Sequence, residues 1–163
     1  MIEVLMNAVV KSPLPAPAVK RVIQKAARLE PKVQGRVDVT IVGKTKMQAL
    51  NKRWRGFNKP TDVLSFAWSE DLTYRGDSLG EIYLCPAVLK PQAKRFKVAY
   101  KEEFTRLLIH GLLHLVGYDH DSDTKAAKMF ALQERVLSLR GAKRRGNPTG
   151  LMRPNNGGIA TVA

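Results

Sequence analysis

All three histidines of the chain lie close together in the sequence, as His110, His114 and His120. His110 and His114 are four positions apart, so on a helix their side chains share one face. Gly117 can adopt the left-handed conformation that ends a helix, and a chain that turns there brings His120 towards the other two. Three neutral imidazoles leave a zinc ion its full positive charge and one open coordination position, as in catalytic zinc sites. The spacing therefore predicts a hydrolytic metal site.

Each histidine taken alone has a simpler interpretation, since a helix or loop histidine often has only an ordinary hydrogen-bonding role. The combined spacing H-x3-H-x5-H, with a glycine inside it, favours the metal site. We expect one Zn²⁺ per chain, while nickel, copper and iron remain alternatives because they also accept nitrogen ligands.

The residue that follows the first histidine restricts the reaction. Zinc peptidases with an H-E-x-x-H motif carry glutamate there as the general base, whereas this chain has Gly111. Loss of a positioned base typically costs about two to four orders of magnitude in rate. The sequence therefore disfavours peptide hydrolysis by that route. Metal-activated water, a nucleophile of the substrate itself, or a base from elsewhere in the chain must serve instead.

The composition predicts one globular domain. The chain has 163 residues, 44% of them hydrophobic, with no apolar run of about 18 residues that would span a membrane. Its start lacks the basic region and cleavage site of a signal peptide. A single cysteine, Cys85, excludes an internal disulfide and suits a reducing compartment. We expect a cytoplasmic protein with no membrane partner and no small-molecule cofactor.

The charge of the chain indicates an anionic partner. Lysine and arginine outnumber aspartate and glutamate by 28 to 14, a net charge of +14. Nucleic acid is the commonest intracellular polyanion. An anionic membrane surface is the alternative, but no strongly amphipathic basic helix stands out.

Hydrophobic periodicity predicts the elements that position these residues. The predicted strands cover 2–10, 36–42, 60–68 and 79–84, and the predicted helices cover 18–29, 45–54, 86–96, 100–116 and 123–139. This order indicates an α+β or mixed α/β fold, a single domain with a four-stranded sheet packed with helices. The helix at 100–116 is apolar round most of its circumference, so it should be buried while carrying the metal motif. The polar segment at 69–78 is expected to be a mobile connection.

Two further details concern the ends of the chain. The last helix is predicted to bury Ala127, Phe130, Ala131, Val136 and Leu137. After Gly141 the periodicity is lost, which predicts a domain at 1–140 and a flexible basic tail at 141–163.

Several other side chains are candidates for the site, each with a structural alternative. Arg55 lies at a helix exit, where it is either solvated or a clamp on a phosphate near the metal. Asp119 either polarises a metal ligand or stabilises the turn before the last helix. Glu103, one heptad before His110, is about 10 Å along the helix, too far for an obvious base. Cys85 is expected to be a small buried residue. Three aromatic residues are expected to pack rather than to stack on bases: Trp54, Trp68 and Tyr83.

Three segments together resemble the YbeY family, whose members are bacterial rRNA maturation factors described as zinc-dependent endoribonucleases. They are HGLLHLVGYDH at 110–120, LNKRWR at 50–55 followed by PTDVLSF at 60–66, and LGEIYLC at 79–85. The similarity covers roughly residues 2–140, without the tail. Asn58 and Glu81 depart from it, because aspartate is more usual at both positions.

The resemblance implies that His110, His114 and His120 bind zinc and that Arg55 is functionally important. It also implies a single-strand-specific endoribonuclease that acts on the 3′ end of small-subunit rRNA, in ribosome assembly and quality control, with small-subunit components as partners. Two alternatives remain. One is a non-catalytic RNA-binding assembly factor whose zinc is structural, and the other is a peptidase with an unusual base, which Gly111 and the positive charge disfavour.

Overall fold

The computed structural model describes residues 1–70 and 76–138. Its elements follow one another as β1 (Ile2–Ala8), α1 (Ala16–Leu29), β2 (Gly35–Ile41), α2 (Lys44–Arg55), β3 (Val63–Ala67), a short 3₁₀ helix (Trp68–Glu70), β4 (Ser78–Leu84), α3 (Pro86–Arg95), α4 (Tyr100–Leu115) and α5 (Asp123–Ser138). This order confirms the predicted succession of strands and helices. The predicted tail at 141–163 and residues 71–75 of the predicted mobile connection lie outside the described residues.

The four strands form one mixed sheet in the order β1-β2-β4-β3. β2 pairs in parallel with β1 and with β4, whereas β3 runs antiparallel to β4. The alternating residues Val37, Val39 and Ile41 of β2 are buried, as their period of two requires. The predicted α+β single-domain fold with a four-stranded mixed sheet is confirmed.

Helix α4 is the centre of the domain, in contact with α1, α3 and α5 and with strands β3 and β4. Leu108, Ile109, Leu112 and Leu113 of this helix are all fully buried. A helix that is apolar on nearly every side is stable only when other elements surround it. The two helical histidines are therefore carried by the most enclosed element of the fold.

Helix α2 contributes to a second, smaller apolar cluster. Met47 of this helix packs with Leu64 and Phe66 of β3 and with Cys85, which follows β4. Val63 and Ala67 of β3 belong instead to the main core around α4. Strand β3 therefore separates α4 from α2, and every one of its side chains is buried.

The structure corrects the predicted start of the first helix. Helix α1 begins at Ala16 rather than at residue 18, after Pro15 in extended conformation. Pro17 lies in the first turn, where its missing N–H would have no partner within the helix in any case. Proline at this point therefore starts the helix instead of delaying it.

The buried face of α5 also differs from the prediction. Val136 and Leu137 are buried as expected, but Ala127 and Ala131 are exposed and Phe130 is only half-buried. The residues buried in their place are Ala126, Met129, Leu132 and Gln133. Helix α5 thus packs against α1 and α4 through a face displaced by about one residue.

No helix within residues 1–70 and 76–138 is long and apolar enough to cross a membrane.

Candidate metal centre

The three histidines converge at the carboxyl end of α4. His110 and His114 lie on successive turns of this helix. The helix then ends in a left-handed turn, in which Gly117 has φ of 90° and donates its N–H to the carbonyl oxygen of His114 at 3.1 Å. This reversal brings His120 back, so that one ring nitrogen from each histidine lies within 4.8 Å of the others. The predicted convergence of the three imidazoles is confirmed.

The environment of the His114 side chain is suited to binding a metal ion. It is only 8% exposed, and its buried Nε2 has no hydrogen-bond partner among the described residues. A buried polar atom left without a partner typically costs about 1–3 kcal/mol. The cost is removed if Nε2 ligates a cation that His110 and His120 share. Nitrogen ligands of this kind suit Zn²⁺ and neighbouring transition metals.

The electrostatics of the site keep two of the rings neutral. Burial lowers the pKa of His114 to about 3, and the nearby His110 and His120 act in the same direction. Burial also lowers the pKa of His110 to about 4, assisted by His120 and opposed by Gln133 and Asp62. A protonated imidazole has no lone pair for a metal. Both rings are therefore ready to bind a cation at neutral pH without first losing a proton.

Gln133 of α5 orients the ring of His110. The Nδ1 of His110 lies 3.3 Å from Oε1 of Gln133. Gln133 is buried, with only 3% of its surface exposed. Because an amide oxygen can only accept, Nδ1 carries the proton and Nε2 is left as the ligand atom. Gln133 was not predicted from the sequence. It is a polar residue on the buried face of α5, and that could have drawn attention to it. It did not, because the buried face was predicted about one residue away from its true position.

Asp119 stabilises the turn before α5 rather than polarising a metal ligand. Its Oδ1 accepts the backbone N–H of His120 at 2.6 Å and lies 3.8 Å from the ring nitrogen Nδ1 of the same residue. The second distance is longer than a hydrogen bond. Asp119 therefore fixes the backbone of the turn that presents His120.

Gly111 faces the sheet rather than the histidines. A Cβ atom at this position would lie 2.8 Å from Oγ of Ser65 and 3.1 Å from a methyl group of Ile82. Ser65 also donates a hydrogen bond of 3.0 Å to the carbonyl oxygen of Gly111. Helix and sheet thus approach too closely for a side chain, which explains why a glutamate base is absent here.

Arg55 is the last residue of α2. Its Nη1 donates to Oδ1 of Asn51 at 3.3 Å, and burial lowers its pKa against the opposing effect of Asp62. The same carboxylate acts on the pKa of His110. Asp62 is only 3% exposed, and it accepts hydrogen bonds from the N–H of Val63 and from the amide of Gln92. Its effect on the pKa values of Arg55 and His110 was not predicted from the sequence.

Comparison with known proteins agrees with this geometry. Residues 9–141 match the family model described as Endoribonuclease YbeY. The chain belongs to the YbeY family.

Individual YbeY relatives are similar over most of the domain. An Endoribonuclease YbeY from Sulfurihydrogenibium sp. is 41% identical over 102 residues, which cover 62% of this chain and 67% of that protein. Its counterpart from Thermosipho melanesiensis is 39% identical over 116 residues, covering 71% and 80%. A solution structure of a Thermotoga maritima protein superposes with a TM-score of 0.59 at 28% identity, covering 92% of this chain and 99% of that one.

The remaining candidates have structural partners. Glu103 is buried and accepts hydrogen bonds from Arg106 at 3.2 Å and from Gln92 at 3.4 Å, so it is committed to the packing of α4. Cys85 is fully buried, and burial raises the pKa of its thiol, which disfavours the thiolate that binds metals. Its expected role as a small buried residue is confirmed.

The aromatic residues and the two positions that depart from the YbeY pattern also have local roles. Phe66 packs edge-on against Trp54 and Tyr83, with ring centroids 5.9 and 5.7 Å apart. Glu81 accepts the hydroxyl of Tyr83 at 3.0 Å. Asn58 accepts the side-chain amide of Gln48 at 3.1 Å. Neither Asn58 nor Glu81 is a member of the histidine cluster.

Proposed function

We propose that this chain is a zinc-dependent endoribonuclease that cleaves single-stranded RNA in the maturation of small-subunit rRNA. The observation that carries the proposal is the buried Nε2 of His114, which has no hydrogen-bond partner among the described residues and lies in a cluster with His110 and His120. Membership of the YbeY family and the net charge of +14 support RNA as the substrate. We assign the activity to residues 1–140 and place it in the cytoplasm, which the single buried thiol supports.

Each residue of the site has a defined part in this reaction. His110, His114 and His120 would hold the zinc ion, and Gln133 fixes His110 in the tautomer that leaves Nε2 for it. When bound, zinc supplies a positive charge that polarises a phosphoryl oxygen and activates water at neutral pH. The guanidinium of Arg55 binds the non-bridging oxygens of the scissile phosphate and offsets the charge that develops there.

Neither Gly111 nor Glu103 of α4 supplies a general base for the reaction. Gly111 has no side chain, and Glu103 is held by Arg106 and Gln92. The nucleophile is therefore either activated water or the 2′-hydroxyl of the RNA. Analysis of the product ends separates the two, since attack by the 2′-hydroxyl leaves a cyclic phosphate.

A basic segment in and after α2 supports the binding of flanking phosphates. Between Asp38 and Asp62 the chain has six lysines and arginines and no acidic residue. They are Lys44, Lys46, Lys52, Arg53, Arg55 and Lys59. Each phosphate contact releases counterions, so we expect RNA affinity to fall steeply as salt rises.

The test uses His120→Ala as well as His114→Ala. The side chain of His120 is 38% exposed, so its removal deletes a ligand with little loss of packing. Wild-type protein that is stripped by a chelator and reloaded with zinc should regain cleavage of a single-stranded RNA, and both variants should remain inactive. Lys125→Ala, which removes an exposed cation on α5, is the matched control and should cleave as wild type does. Equal cleavage by wild type and His120→Ala would reject the proposal.

A non-catalytic role for the metal is the second candidate, and the burial of His114 favours it, because structural metal ligands are commonly enclosed. In that case the ion braces α4 against the turn at Gly117, and the chain binds ribosomal RNA without cutting it. It predicts that His120→Ala lowers thermal stability and RNA affinity together, while reloaded wild type shows no metal-dependent cleavage.

A further inference from the structure

An exposed phenylalanine lies in the basic segment between Asp38 and Asp62. The side chain of Phe57 is 46% exposed and belongs to neither apolar cluster of the described residues. Single exposed apolar residues are common and need no explanation by themselves. Phe57 differs because two cations lie over its ring, Arg55 at 4.9 Å and Lys59 at 6.0 Å.

The loop that carries Phe57 is held firmly against α2. The helix ends at Gly56, whose φ of 76° turns the chain and whose N–H bonds to the carbonyl oxygen of Lys52 at 3.0 Å. Buried Asn51 then donates to the carbonyl oxygen of Lys59 at 2.7 Å, and Gln48 donates to the carbonyl and side-chain oxygens of Asn58. Hydrogen bonds of the residues before and after Phe57 therefore hold its apolar ring in an exposed position.

The ring is connected with the proposed reaction through Arg55. The guanidinium of Arg55 lies 4.9 Å from the centre of the Phe57 ring, and Arg55 is the residue proposed above to bind the scissile phosphate. Trp54, 43% exposed with Arg53 at 4.8 Å over its ring, extends the same surface but is anchored against Phe66. The surface thus offers a fixed aromatic ring surrounded by cations, next to the arginine proposed to bind the scissile phosphate.

We propose that Phe57, with Arg55 and Lys59, forms a stacking site for one unpaired nucleobase of bound RNA. The inference rests on the proposed function only in taking RNA as the ligand. An aromatic ring stacks on any base. The base would take the place of the flexible Lys59 side chain over the ring, and Lys59 and Arg55 would then bind the phosphates on either side. A base inside a duplex cannot reach such a ring without being unstacked. The site therefore selects single-stranded RNA, with little preference for sequence.

The first test is affinity for a fluorescent 2′-O-methyl oligoribonucleotide of about 12 nucleotides, a length within the usual span of single-strand sites. Phe57→Leu keeps an apolar side chain but removes the ring, and it should weaken binding about 5- to 150-fold. Phe57→Tyr should bind as wild type does. The slope of affinity against salt concentration should not change in Phe57→Leu, because no phosphate contact is lost.

A matched control and a second measurement complete the test. Leu5→Ala removes a side chain that is equally exposed, at 44% on β1, and should leave affinity unchanged. Abasic nucleotides are then introduced at successive positions. One position should weaken binding to the wild type but not to Phe57→Leu, as expected when the base and the ring form a single interaction.

Other outcomes would overturn the stacking site. Affinity that is equal in Phe57→Leu and wild type rejects it, while metal-dependent cleavage would leave the proposed function intact. Unchanged RNA affinity with altered sedimentation of Phe57→Leu would assign the ring to a contact between proteins. Conversely, loss of binding in Phe57→Leu without any cleavage by the reloaded wild type would retain the stacking site and reject the endoribonuclease.

Discussion

Acid should destabilise the metal-free protein well above the pH at which carboxylates titrate. The pKa values of His110 and His114 in the fold are about 4 and about 3, both below the ordinary value of 6.5. Above pH 6.5 both rings are neutral in the folded and unfolded chains, so the full stability is present. Below it the unfolded chain binds protons that the folded chain refuses, and the free energy of unfolding falls until the folded pKa values are reached.

The size of the loss follows from these two shifts. For one histidine, lowering the pH from about 7.5 to about 5 costs about 2 kcal/mol, since one pKa unit corresponds to 1.36 kcal/mol. His110 and His114 together should therefore cost about 4 kcal/mol. A domain of this size typically has about 5–15 kcal/mol of stability, so the loss should be between about a quarter and four fifths of the total and easily measured.

Urea denaturation in the presence of a chelator measures this loss. His114→Gln removes one of the two titrating rings while keeping a polar side chain, so its loss between the same pH values should be about half that of wild type. Glu30, whose pKa is also lowered from 4.5, contributes only at lower pH. A free energy of unfolding that stays constant down to pH 5 in the chelated wild type would refute the reasoning.

Three further predictions concern neighbours of the histidines. Gln133→Leu deprives Nδ1 of His110 of its acceptor and should weaken metal affinity about 10- to 100-fold, measured by competition with a chromophoric chelator; unchanged affinity would contradict the assigned role. Gly111→Glu should lower the melting temperature without creating peptidase activity, because a Cβ there meets Ser65 at 2.8 Å; a stable variant would mean that helix and sheet can separate. Glu103→Gln should lower the free energy of unfolding by about 1–3 kcal/mol in chemical denaturation. Its metal affinity should match that of wild type, and a loss of metal instead would place Glu103 in the site.

The sequence predicted those parts of the site that depend on local geometry. The four-residue spacing of His110 and His114 holds on any helix, and Gly117 has the positive φ expected of a residue that ends one. The order of strands and helices was also predictable, because periods of two and of about 3.6 residues are properties of neighbouring residues. The approach of His120 to the other two histidines was predictable because it requires only the turn at Gly117.

The parts that depend on distant contacts were not predictable from the chain. Gln133 meets His110 across 23 residues, and it does so only because α5 presents a face about one residue away from the predicted one. The effect of Asp62 on the pKa of His110, which is far from it in the sequence, likewise depends on the packed fold. The sequence showed that Gly111 lacks a base, but the reason, close contact with Ser65 and Ile82, appears only in the packed fold.

The central claim is that three imidazoles of this chain bind one metal ion. Elemental analysis of the purified protein, combined with X-ray absorption at the zinc edge, tests it most directly. We predict about one zinc per chain with three nitrogen ligands at about 2.0–2.1 Å, and a loss of the metal in His120→Ala. A chain that contains no transition metal, or equal metal content in wild type and His120→Ala, would contradict the account.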